Sequence, residues 1–161
     1  MRGGDRGPAA FTMLFDAAAF RERYRGRDPE LRVLRGGWNL QTRFSHFGVR
    51  SGDTIFAVSV ARKRLHLFGR MTVDQLEIEE GYETARGILG SRVYFDLTVP
   101  REILERWRFS AKRGERSIKF LIDGEIVRAI SFQGIYRLTP QTASDLFGLL
   151  LDHEVKRELS R

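Results

Sequence analysis

Trp38-Asn39, followed shortly by Arg43-Phe44-Ser45-His46-Phe47, gathers an indole, an amide, a guanidinium, two phenyl rings, a hydroxyl and an imidazole into one short stretch. Aromatic faces stack flat bases and hold methyl groups or cations. An amide such as Asn39 can bond a base edge, and Arg43 can fork a phosphate. Cations interleaved with aromatics suit recognition of a single-stranded or flipped base. The expected base-binding set is therefore Trp38, Asn39, Phe44, Ser45, His46 and Phe47. Arg43, Arg50, Arg62, Lys63 and Arg64 are the expected phosphate contacts. The competing reading makes Trp38, Phe44 and Phe47 core plugs beneath a loop.

Other chemistry is sparser. Asp96, Asp123 and Glu125, with Lys119, could serve metal-dependent hydrolysis only by converging on a hard cation. Asp123 already has a turn to make, and these four groups have no acidic-x-Lys spacing among themselves, so solvated strand-edge charge is the plainer expectation. The three histidines, His46, His66 and His153, stand apart with no metal-ligand spacing. There is no Walker A loop, dinucleotide fingerprint, nucleophile elbow or His-Glu-x-x-His. The absence of cysteine excludes disulfides, thiolate zinc sites and a thiol nucleophile. Gly87-Ile-Leu-Gly90 has the outline of a backbone clamp on nucleic acid but lacks the flanking helices. No catalytic residue, metal or cofactor is assigned. Binding rather than turnover is expected.

These residues need a scaffold, and the sequence marks its elements. Phe11–Phe15 reads as a buried strand. Asp16 caps a helix to Arg25 with Phe20 and Tyr24 on one face. The stretch 27–35 reads as a charged connector and Gly36-Gly37 as a turn. Gly48-Val-Arg-Ser-Gly-Asp53 turns into a strand over 54–60. Ala61-Arg-Lys-Arg64 forms a hairpin loop, and the return strand begins at Leu65, bulges at Gly69 and extends through Met71–Val73 into Leu76 and Ile78. The acidic run 74–83 opens a glycine-dotted loop to Gly90. Val93–Val99 reads as a strand, and Pro100 starts a helix reaching Trp107, itself a core residue. Asp123-Gly124 closes a hairpin spanning 118–130. A short strand at 135–138 precedes Thr139-Pro140, which starts a long helix with an apolar stripe at Ala143, Leu146, Phe147 and Leu150. Hairpins outnumber βαβ units. The class expected is α+β with a mainly antiparallel, barrel-like sheet, flanking helices and a long C-terminal helix.

The chain has 161 residues and a formal net charge of +7. That length suits one domain over 10–161 behind a mobile tail at 1–9. Residues 1–70 hold 14 Lys+Arg against 6 Asp+Glu, whereas 71–161 hold 14 against 15. A basic half on a neutral half is the electrostatic footprint of a polyanion partner. All but four of the 28 cations are arginine, which forks phosphates but also accumulates in GC-rich genomes. Apolar stretches fall short of a membrane span, and the N-terminus lacks a cleavable signal, so no membrane partner and a cytoplasmic location are expected.

Trp38-Asn39, the Gly52-Asp53 turn into Thr54-Ile-Phe56, and Gly69 before Val73 resemble the PUA-like superfamily, nearest to its EVE and ASCH type of domain. Tyr136-Arg-Leu-Thr-Pro140 with its leucine-rich helix resembles the C-terminal ends of several such proteins. The resemblance covers less than half the chain. It implies a small β-barrel with a pocket for a base, modified in some branches. It puts that pocket on Trp38, Asn39 and Phe44–Phe47. Its relatives act in modification-dependent restriction or RNA handling. With no nuclease motif present, this chain would be a reader working beside a separate nuclease. The alternatives from other classes are the metal-dependent hydrolase on Asp96, Asp123 and Glu125, and a protein-interaction adaptor using the 149–159 end of the last helix.

Overall fold

The strand at 54–61 is buried on both sides. Ile55 and Ala57 face one core cluster, while Phe56 and Val58 face another. A strand covered on both faces reads as a continuous apolar run rather than an alternating one, as Thr54-Ile-Phe-Ala-Val-Ser-Val60 does. The computed structural model describes residues 7–24, 30–37 and 43–160. Its elements are β1 (Ala10–Leu14), α1 (Ala17–Tyr24), β2 (Val33–Gly36), β3 (Thr54–Ala61), β4 (Arg64–Glu79), β5 (Tyr82–Gly90), α2 (Arg101–Arg106), β6 (Phe109–Ala111), β7 (Gly114–Arg116), β8 (Leu121–Ile122), β9 (Glu125–Ile126), β10 (Ile135–Arg137) and α3 (Pro140–Leu159).

Six strands form one curled half-barrel sheet in the order β10-β1-β3-β4-β5-β2. The class is α+β, but the sheet is mixed: β1 and β3 run parallel, Leu14 opposite Val58. The chain leaves β1 through α1 and β2 before returning as β3, and such a crossover permits parallel pairing where a tight hairpin does not. One face of the sheet carries α1 and the residues around Leu31, Leu34, Phe44 and Val49. The other carries α2, the two small hairpins β6–β7 and β8–β9, and α3, packed around a fully buried Trp107.

Local signals hold where short-range chemistry decides. Asp16 Oδ1 accepts the Ala18 N–H at 3.2 Å and starts α1. Between the pairs Ala57–Gly69 and Val58–Leu67, Phe68 is left as the extra residue of a bulge. Phe68 faces the opposite core from Leu65 and Leu67 by ordinary alternation. The bulge shifts the parity beyond it, so that Met71 and Val73 rather than Arg70 join Phe68 in its core. Thr139 accepts the Thr142 N–H and caps α3 behind Pro140.

Several segments differ from the sequence reading. The return strand extends through Leu76 and Ile78 as expected, but the glycine-dotted stretch to Gly90 is no loop: β4 runs on to Glu79, turns at Glu80-Gly81, and returns as β5. Part of the supposed connector is β2, paired with β5 from Val33–Arg86 to Gly36–Glu83. The stretch 93–99 is not a regular strand. It runs irregularly beside β4, bonded through Tyr94 N–H to Phe68 and Val99 N–H to Leu65. The 118–130 hairpin shrinks to two-residue strands about its Asp123-Gly124 turn, where both φ values are positive.

Candidate functional site

Past β1 the chain bends at Phe15-Asp16 into α1, which lies on the sheet through Phe20. The Phe20 ring stacks on Phe68 with centroids 4.6 Å apart, and Phe15 and Tyr24 lie 5.1 and 4.6 Å from it. The far end of α1 is tied to β2 by the Tyr24 hydroxyl, which donates to the Val33 carbonyl at 2.6 Å. Burial holds the Tyr24 phenol above its ordinary pKa, against the lowering pull of Arg23.

Between α1, the end of β1 and β2 lies a cleft of about 470 Å³. Half-buried Phe15 and Tyr24 form its walls, buried Phe20 and Leu34 its floor, and Arg23, Arg35 and Asp16 supply its charges. A mostly apolar concavity with a few convergent polar groups is the usual form of a ligand site. It lies next in sequence to the expected base-binding segment, since Gly36 lines it and Gly37 follows.

Trp38 and Asn39 themselves lie outside the described residues. Gly37 adopts φ +107°, and a Cβ there would sit 2.8 Å from Tyr82 Cα, so only glycine fits where the chain leaves β2. Arg43 returns to the same place and donates from Nε to the Gly37 carbonyl at 3.5 Å. Residues 45–47 form a single 3-10 turn. His46 is exposed with its ring edge-on to Phe47 at 4.9 Å, and half-buried Phe47 faces Tyr136 at 6.3 Å. Phe44 is corrected: it has no exposed surface and packs with Val49 in the core, so it cannot present a face to a ligand. Ser45 is held by a residue that sequence reasoning missed. Buried Glu83 accepts the Ser45 N–H at 3.0 Å and also the Ser45 hydroxyl. One acid in a run of several gives no sign of which will face inward.

The Gly52-Asp53 turn has a structural cause. Buried Asp53 accepts the Ala9 N–H at 2.9 Å and the Arg50 N–H at 2.8 Å, joining the turn to the start of β1. Arg50 is half-buried there. Arg62, Lys63 and Arg64 are exposed at the β3–β4 turn, and the Lys63 carbonyl accepts the Ile126 N–H at 2.8 Å. Arg62 and Arg64 share a cleft of about 680 Å³ with Arg101, Asp123 and Glu125, so these two guanidinia face mixed charge. His66, near Arg21 and Arg64, has its pKa lowered, first by burial and then by those cations.

The carboxylates proposed for hydrolysis are not brought together. Asp96 lies 3.4 Å from both His153 Nε2 and Arg157 Nη1, whereas Asp123 and Glu125 lie on the β8–β9 hairpin. Among the described residues no group of three or more His, Asp or Glu side chains is placed to hold a metal. The Gly87–Gly90 pattern is explained by packing: a Cβ on Gly87 would lie 2.5 Å from the Thr72 carbonyl, and one on Gly90 would lie inside the Leu31 carbonyl.

No protein-family model matches the chain. No curated protein matches it either. Among the described residues no helix is long and apolar enough to cross a membrane. The helix α3 does leave Leu151, Val155 and Leu159 exposed along its outer side.

Proposed function

We propose that this chain is a nucleic-acid-binding module on a PUA-like half-barrel, and that one base, modified or flipped, enters the cleft between α1 and β2. The aromatic cleft with Arg23 and Arg35 beside it carries the reading. Phe15 and Tyr24 offer faces to a planar ring. Asp16 offers an acceptor to a base edge, and the two guanidinia offer forks to flanking phosphates. Trp38 and Asn39 follow directly from the cleft wall, which supports their part in it. On this reading the chain binds and does not cut, and any nuclease is a separate partner.

The test is fluorescence anisotropy with labelled single-stranded DNA, single-stranded RNA and modified duplexes at low salt. Phe15→Ala and Trp38→Ala are each expected to weaken binding by about 1–3 kcal/mol, the range for loss of a stacked base. Arg23→Ala with Arg35→Ala is expected to flatten the salt dependence. Undetectable binding to every one of these oligonucleotides would end the proposal.

A further inference from the structure

A second groove lies on the opposite face of the sheet. Arg70 pairs in register with Phe56, which belongs to the core cluster beneath α3, not to the one beneath α1. Between β4, the residues that follow β5 and α3 is a concavity of about 380 Å³ lined by Arg70, Ser91, Arg92, Tyr94, Phe147 and Leu151, with Glu30 and Glu154.

Its two arginines are fixed by one serine. The Ser91 hydroxyl accepts the Arg70 N–H and donates to the Arg92 carbonyl, each at 2.9 Å. The Ser91 N–H returns to the Arg70 carbonyl at 2.9 Å. Gly69 makes room for this knot, because a Cβ there would lie 2.7 Å from Ser91 Oγ. The Arg70 guanidinium lies 5.1 Å over the Phe147 ring, and Phe147 rests edge-on against buried Phe56 at 5.0 Å. Stacking leaves the N–H edges of a guanidinium free to donate.

Neither guanidinium has a carboxylate partner here: the ion pairs among the described residues use Arg32, Arg86, Arg101, Arg106 and Arg157, not Arg70 or Arg92. Glu30 is occupied by Arg32. That leaves Arg70 and Arg92 without a carboxylate partner in a groove whose acids are Glu154 and the Arg32-bonded Glu30.

We propose that this groove binds a phosphate ester, with Arg70 and Arg92 taking the phosphoryl oxygens. Two forked donors match a tetrahedral phosphoryl group, whose oxygens diverge in three dimensions, better than the two coplanar oxygens of a carboxylate. The cavity exceeds a bare ion, and Leu151 and Phe147 give the carbon skeleton an apolar wall. Glu154 favours an ester bearing hydroxyl or amino donors and opposes a polyphosphate. The phosphate could belong to a free monoester or to a nucleic-acid backbone. The proposal does not rest on base binding in the α1–β2 cleft.

Amide chemical-shift titration separates these outcomes. The probes are a nucleoside 5′-monophosphate, the same nucleoside without phosphate, inorganic phosphate and a short single-stranded oligonucleotide. The monophosphate is expected to shift the Ser91 and Arg92 amides, more tightly than inorganic phosphate and much more tightly than the nucleoside. Arg92→Gln, on an exposed residue, should weaken it about tenfold or more, as loss of a charged hydrogen bond implies; Arg70→Gln should act alike if it folds. Phe15→Ala should leave these shifts intact, so failure of the cleft reading and failure of this one are told apart. If the oligonucleotide shifts the same amides, and loses that effect in Arg92→Gln, the backbone is the natural source; if only the monophosphate does, a free ester is. Absence of shifts at Ser91 and Arg92 with every phosphate probe, or unchanged affinity in Arg92→Gln, overturns the proposal. Equal affinity for inorganic phosphate overturns its ester part.

Discussion

The Glu83 carboxylate accepts the backbone N–H of Ser45 at 3.0 Å from within the core. Glu83 also stands opposite Gly36 in the β2–β5 ladder. One side chain on β5 therefore anchors the 45–47 turn beside the strand that walls the cleft. Glu83→Ala should lower stability by about 2–3 kcal/mol, because a charge-assisted bond is removed and a partly buried N–H is left unpaired. Glu83→Gln should cost less, since its amide oxygen can still accept one of the two donors. Ser45→Ala should cost least, because it keeps the backbone bond. Urea unfolding of the three variants checks the ranking; an Ala variant no worse than Gln would mean the tether is not what stabilises this region.

Two glycines should respond in opposite senses. A Cβ at Gly90 would sit 1.9 Å from the Leu31 carbonyl oxygen, backbone against backbone, whereas one at Gly148 meets nothing within 4 Å. Gly90→Ala should destabilise by about 3 kcal/mol or more, as overpacking without room to relax does. Gly148→Ala, inside α3, should stabilise by about 0.5–1 kcal/mol through helix propensity alone. Thermal unfolding of both decides it.

How far the sequence discloses this molecule depends on how local the deciding interaction is. The Asp123-Gly124 turn and the Thr139-Pro140 helix start rest on residues within a few positions of each other, and each is readable; the bulge beside Gly69 is marked by the glycine itself. The strand β2 is not, because Leu34 is its one fully buried apolar side chain and its partner β5 lies about fifty residues on. The apolar stretch 93–99 misleads in the other direction: it feeds both cores, Val93 one and Tyr94 the other, which composition cannot distinguish from regular pleating. The same limit applies to the site. Phe44 and Phe47 share a residue type and a turn, yet Phe44 is sealed and Phe47 is half-open. The shared face of Phe20 and Tyr24 is legible from spacing, but the cleft beside it exists only once β2 is placed against α1.

His66 makes stability depend on pH in a defined direction. Its folded pKa is lowered from 6.5, chiefly by burial. The unfolded chain therefore binds this proton more readily, and stability falls as pH drops through the unfolded value of about 6.5 toward the folded one. Above that window His66 is neutral in both states and contributes no slope. His66→Gln should reduce the loss of stability between about pH 7.5 and 5.5, a range set by the ordinary histidine value. Denaturation midpoints at several pH values test this, and an unchanged slope in the variant would assign the pH dependence to other groups.

The β3–β4 turn sets stability against charge. Arg62 and Lys63 both hold positive φ, 53° and 63°, in a two-residue turn whose usual occupants are Asn and Gly. Side chains with a Cβ lose roughly 1 kcal/mol each in that left-handed region. Arg62→Asn with Lys63→Gly should therefore raise stability, by about 1–2 kcal/mol on those figures, while the Lys63 carbonyl still accepts the Ile126 N–H. If these cations neutralise phosphates, the same double variant should weaken oligonucleotide binding. The slope of log affinity on log salt should then become shallower by about 0.7 for each phosphate of a single strand that is no longer neutralised. Measuring both quantities on one variant separates the possibilities. A more stable protein with shallower salt dependence places the turn on the nucleic-acid path, whereas a more stable protein with an unchanged slope removes Arg62 and Lys63 from it.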